Sequence, residues 1–151
     1  MYLAEALNKR RDLTGRIAHY KGLLPKMVYR SEGRDLPLEP TYIIGQLEKM
    51  AAQYEKLVRA INKTNLQTIY EDGKTLTDAI AERDTYDLLI SFCKKAIEGI
   101  HEMRHDYNSR EMRLMLDISK VEQQMQQYLD MRREMDSKIQ RLNWMTKLVD
   151  D

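Results

Sequence analysis

The chain has 151 residues, 42% of them hydrophobic and 32% charged, with only six glycines and three prolines. That balance excludes a collagen-like or Gly/Pro-rich disordered chain and favours long helices with wet outer faces, so we expect a single all-α domain over residues 1–151. Twenty-five Lys and Arg against 24 Asp and Glu leave a net charge of +1, which provides no global pull toward nucleic acid, and no nucleic-acid partner is expected.

Residues 1–34 carry eight basic side chains against three acidic ones, which we read as a solvated helix face. The alternative, a nucleic-acid-binding helix, predicts binding that weakens steeply with salt. The one cysteine, Cys93, allows no internal disulfide and favours a reducing compartment. Met1-Tyr2-Leu3-Ala4-Glu5 places an acid where a signal peptide needs an apolar run, and no stretch approaches the roughly 18 apolar residues of a membrane span. A cytoplasmic protein is therefore expected, and a membrane partner is not.

From Leu3 the apolar residues follow a heptad. Leu3, Ile17 and Leu24 share one seam position with Arg10, and Ala6, Leu13, Tyr20 and Met27 share the other, which predicts a first helix over 2–26. Pro25, which lacks the N–H a helix needs, is a candidate early stop. Residues 28–40 hold Gly33, Pro37 and Pro40 among charges and read as a surface loop. A second helix over 41–65 follows from Ile44, Leu47, Ala51, Tyr54, Val58 and Ile61, with Ile43, Met50 and Leu57 widening the stripe.

Asp72-Gly73 tolerates positive φ at both centres of a two-residue turn, and its β-prone flanks, Thr68-Ile69-Tyr70 and Thr75-Leu76, predict a hairpin over about 68–76. Either Thr75 with Asp78, or Thr77, then supplies the cap of a third helix over 77–107. Its seam is Ala79, Arg83, Tyr86, Ile90, Cys93, Ile97 and Ile100, which makes Cys93 a small buried hydrophobe. Residues 110–116 fit either an extended segment or the first turns of the next helix. Asp117 is a candidate N-cap for a fourth helix over 118–148, with the seam Ile118, Val121, Met125, Tyr128, Arg132, Met135, Ile139 and Leu142.

Helices of this length and pattern predict an antiparallel four-helix bundle or long coiled-coil hairpins. Slender rods with arginines on their seams (Arg10, Arg83 and Arg132) leave surface uncovered, so a homo-oligomer is expected.

Three motifs suggest chemistry. His101-Glu102-Met103-Arg104-His105 matches H-E-x-x-H, in which two imidazoles one turn apart hold zinc and the glutamate activates water. The heptad frame puts both His101 and His105 on the wet side, so a metal-dependent hydrolase on these residues is an alternative and not the main reading. Glu98-Gly99-Ile100-His101 matches the E-x-x-H of di-iron bundles, but that site needs a second copy and further inward glutamates. Gly73-Lys74-Thr75 resembles the end of a phosphate loop, yet the required earlier glycine is Thr68 and Glu71-Asp72 would repel phosphate. No cofactor is expected, and the protein is read as non-enzymatic.

Four blocks together resemble the septicolysin-like proteins, a bacterial family of small helical proteins with no settled function. They are Leu3-Ala4-Glu5-Ala6-Leu7 with Arg10, Leu13, Arg16 and Ile17; Ile61-Asn62-Lys63-Thr64-Asn65; Asp72-Gly73-Lys74-Thr75-Leu76-Thr77 with Arg83-Asp84; and Ile139-Gln140 with Asn143-Trp144. The match touches nearly the whole chain. The chain departs from the family pattern in its Met-rich stretch from Met112 to Met115 and in the histidine pair. The family label implies a membrane-active cytolysin as an alternative function.

On an antiparallel bundle all four blocks fall at one pole. The expected binding or assembly surface there comprises Asn62, Asn65, Tyr70, Asp72, Gly73, Thr77, Arg83, Asp84, Asn143 and Trp144. Trp144 lies off the fourth helix's seam, so its indole is expected to be buried near Ile69 or Tyr70, in its own chain or a neighbour's.

Overall fold

The computed structural model describes residues 1–29, 39–104 and 113–149. The chain is all-α: helices α1 (Leu3–Met27), α2 (Pro40–Gln67), α3 (Leu76–Arg104) and α4 (Ile118–Met145), with strands β1 (Ile69–Glu71) and β2 (Lys74–Thr75) forming an antiparallel hairpin between α2 and α3. It divides into two compact units. The first comprises Met1–Thr68 with Asn143–Asp151, and the second Ile69–Leu142.

In the first unit α1 packs along α2. The predicted α1 seam is the buried one, with Leu3, Ala6, Leu13 and Met27 in the core. Each large apolar side chain so buried contributes roughly 1.5–3 kcal/mol. Pro25 does not stop the helix. It lies in the last turn, where the Lys21 carbonyl it leaves without a donor belongs to an exposed residue, and water can satisfy it.

The stripe of α2 is rotated from the expected one. Its buried line is Ile43, Met50, Leu57 and Thr64, seven residues apart, with Ala60 and Ile61 beside it, whereas Ile44 and Tyr54 are exposed. Pro40 is not part of the preceding loop but the first residue of α2, where its missing N–H costs nothing and its fixed φ is already helical.

The end of the chain departs further from expectation. Helix α4 stops at Met145 instead of running to 148, and the tail is extended. Tyr2 and Lys147 form an antiparallel bridge. The Leu3 N–H donates to the Thr146 carbonyl and the Leu148 N–H to the Met1 carbonyl, both at 2.9 Å. The Val149 N–H donates to Thr64 Oγ1 at 3.0 Å. Thr64, 1% exposed, is the buried polar side chain among the described residues, and its hydroxyl donates to the Ala60 carbonyl at 2.7 Å. The tail therefore joins the start of α1 to the end of α2, with Thr64 as the acceptor in between.

In the second unit the hairpin packs on the start of α3. Asp72 (φ 33°) and Gly73 (φ 82°) both adopt left-handed backbone, the geometry of the tight turn that Asp-Gly favours. Of the two caps considered for α3, Thr75 with Asp78 forms. The Thr75 N–H and hydroxyl donate to Asp78 Oδ2 at 2.8 and 2.7 Å, and the Asp78 N–H donates to Thr75 Oγ1 at 3.2 Å, a reciprocal box that satisfies N–H groups at the start of the helix.

Residues 113–117 have no regular structure, and Asp117 caps α4 through the Ser119 N–H at 3.0 Å. The predicted end of the third helix at 107 lies outside the described residues. Cross-links between Arg83 and Asp136 and between Arg132 and Asp87 set α3 and α4 antiparallel, and Tyr86 meets Tyr128 with ring centroids 6.1 Å apart. Cys93 sits on this seam half-buried, less enclosed than expected.

Candidate functional site

The ten residues expected at one pole divide between the two units. Asn62, Asn65, Asn143 and Trp144 belong to the first. There Asn62 is exposed, and Asn65 and Asn143 are half-buried. Trp144 is 60% exposed, so its own chain does not bury the indole, and of the two expected places for it only burial by a neighbouring chain is left. Helix α4 ends one residue after Trp144, where the chain turns into the extended tail. Around the tail's attachment lie further exposed apolar side chains: Met1 (55%), Tyr2 (43%), Leu66 (61%) and Met145 (69%). Each is within two residues of a residue whose hydrogen bond or bridge ties the tail down.

Tyr70, Asp72, Gly73, Thr77, Arg83 and Asp84 belong to the second unit. Asp72, Gly73 and Thr77 are exposed and serve the turn and the first helical turn. Tyr70 is buried, and the Lys138 ammonium lies 4.1 Å from its ring centroid, a cation–π geometry. The same ammonium pairs with Glu71. Burial raises the Tyr70 phenol above its ordinary pKa, and the Lys138 charge opposes that rise. The hydrogen bond from Lys138 holds the Glu71 carboxyl below the usual range.

Arg83, 25% exposed, donates to Asp84 Oδ1 at 2.7 Å and to Asp136 Oδ1 at 3.5 Å. Arg132 pairs with Asp87 at 2.5 Å. Two of the three seam arginines thus meet carboxylates of this unit, and partly screened pairs of this kind fix register more than they stabilise. A recess of about 220 Å³ beside the hairpin is lined by Tyr70, Tyr86 and Met135 with Glu71, Glu82 and Glu134; Lys138 and Lys74 already pair with Glu71 and Glu82.

The described residues bring together no group of three or more His, Cys, Asp and Glu side chains able to hold an ion. His101 and Glu102 are exposed on α3, and His105 lies outside the described residues. No described helix is long and apolar enough to cross a membrane.

Sequence reasoning missed a cleft in the first unit. It holds about 370 Å³ and is lined by Leu13, Leu57, Ala60, Met1 and Leu148, with Lys9, Gln53 and Lys56 completing the wall. The available signal was the rotated α2 stripe. Leu57 and Ala60 mark the inward face of α2, and Gln53 and Lys56 lie one turn from them.

No curated protein matches the chain. Among solved structures it is similar to a functionally unknown conserved protein from Corynebacterium diphtheriae, with 29% identity over 99% of each chain and a TM-score of 0.92. Residues 10–148 match the model of a family of unknown function, DUF6847. That match spans both helical units and the tail as far as Leu148, and the chain belongs to this family.

Proposed function

We propose that the protein is a non-enzymatic helical interaction protein that self-associates through the tail end of its first unit, with Trp144 at the centre of the contact. One observation carries the reading: Trp144, Met145, Leu66, Met1 and Tyr2 expose large apolar side chains, each within two residues of a point where the tail is tied to α1 or α2. Lone exposed apolar residues are ordinary on any protein, but a cluster of them around one feature marks an interaction surface. Trp and Tyr supply most of the energy at such contacts, and losing a central one costs about 2 kcal/mol or more. Asn62, Asn65 and Asn143 supply amide donors and acceptors for a polar rim.

Light scattering on the purified chain over a range of concentrations tests the reading. A mass that grows with concentration in the wild type, and a monomer in Trp144→Ser and Leu66→Ser, is the expected result. A wild type that stays monomeric throughout overturns it.

The resemblance to the septicolysin-like proteins, carried by blocks in both units, adds the alternative of membrane activity. Its support is that label and the amphipathic helices. Release of dye from liposomes at micromolar protein would favour it over self-association, and intact liposomes would remove it.

A further inference from the structure

We propose that the cleft of the first unit is a binding site for a small amphipathic anion, an apolar tail carrying one carboxylate or phosphate head. Leu13, Leu57 and Ala60 are each more than nine-tenths buried yet line the cleft, so its base is apolar. Met1 and Leu148 add apolar walls from the two chain ends, which the Leu148 N–H to Met1 carbonyl bond holds together. At about 370 Å³ the cleft falls in the range of small-molecule sites, roughly 300–1,000 Å³, and near its lower end.

The polar part of the lining selects the ligand's charge. Among the described residues it consists of Lys9, Lys56 and Gln53, with no carboxylate. Neither lysine has an ion-pair or hydrogen-bond partner among the described residues, whereas Lys74, Lys95 and Lys138 of the second unit are all paired. Two ammonium groups without a partner among the described residues, at one apolar hollow, disfavour a cation and favour an anion that both can contact. A wholly polar anion would leave the base wet, and a wholly apolar ligand would leave the ammonium groups and Gln53 without a partner. An amphipathic anion satisfies both. Because Leu148 is part of the wall, such a ligand also stabilises the docked tail.

Titration calorimetry of the full chain with octanoate, octyl phosphate, octanol and octylamine tests the proposal, alongside the double variant K9Q/K56Q. Both lysines are exposed, so the variant keeps its fold, which circular dichroism verifies. Saturable one-to-one binding of octanoate or octyl phosphate is expected, with octylamine inert and octanol weaker. Loss of the charged contacts should weaken binding about tenfold or more in the double variant.

The tighter of the two anions identifies the head group as carboxylate or phosphate. Binding should also slow hydrogen exchange at the Leu148 amide, a readout independent of heat. Three results overturn the proposal: binding of neither anion, octanol bound as tightly as both, or undiminished affinity in K9Q/K56Q. Self-association through Trp144 is measured separately by light scattering and stands or falls independently.

Discussion

Replacing Thr64 by valine removes the acceptor that, among the described residues, holds the tail to α2, while keeping the shape of the buried side chain. In the native chain Thr64 Oγ1 accepts the Val149 N–H at 3.0 Å and donates to the Ala60 carbonyl at 2.7 Å. The second bond is dispensable, because that carbonyl already has its helical partner. Loss of the first leaves a half-buried N–H without an acceptor, a cost of about 1–3 kcal/mol when water is excluded and less here. The added methyl group returns roughly 0.8 kcal/mol of apolar burial.

A net loss of up to about 1 kcal/mol follows, which for a chain of this size lowers Tm by up to about 4 °C. The loss should also be local. Exchange at the Leu148 and Leu3 amides, whose acceptors are the Met1 and Thr146 carbonyls, should accelerate before that of the α3 core. Thr64→Ser is the control, since it keeps the hydroxyl, leaves a small void and retains slow exchange in the tail. Native-state hydrogen exchange with thermal melts makes the measurement. A Thr64→Val protein with unchanged Tm and unchanged Leu148 exchange would refute the account of the tail.

Gly73→Ala places a Cβ at φ 82° and should cost about 1 kcal/mol in urea denaturation, even though nothing crowds the position. Asp78→Asn should lower thermal stability at neutral pH and flatten its acid dependence. The hydrogen bonds from Thr75 depress the folded-state pKa of Asp78, so its contribution is present above the ordinary carboxylate range and is lost as pH falls below it. Lys138→Met removes the charge that opposes the burial effect on Tyr70, so the phenol should titrate still higher than in the wild type when followed by NMR of labelled tyrosine. K9Q/K56Q should bind octanoate or octyl phosphate about tenfold or more weakly in calorimetry while melting like the wild type.

The parts of the fold legible in the sequence were those written locally. Asp72-Gly73 announces its turn through backbone conformation, Thr75 and Asp78 announce a cap through three-residue spacing, and the α1 and α4 seams follow from regular apolar repeats. The α2 stripe was misplaced because Ile43, Ile44, Met50, Ala51, Leu57 and Val58 offer two adjacent apolar lines. Periodicity alone does not say which of them faces inward. The partner decides it, and Thr64, polar but buried, conceals the end of the true line.

The tail was illegible for a different reason. Thr146 to Val149 is too short to show alternation, and its extended form depends on pairing with Tyr2, a residue at the far end of the chain. The cleft was hidden by the same two gaps, since its walls come from the rotated face of α2 and from Leu148.

Trp144 is the chain's single tryptophan, so its fluorescence reports on the proposed contact without labelling. Emission recorded as the protein is concentrated, in parallel with light scattering, tests self-association at its centre. The expected result is the red emission of a water-exposed indole in the dilute monomer and a shift to the blue that tracks the rise in mass. Emission that stays red while the mass rises, or a mass that never rises, would contradict it.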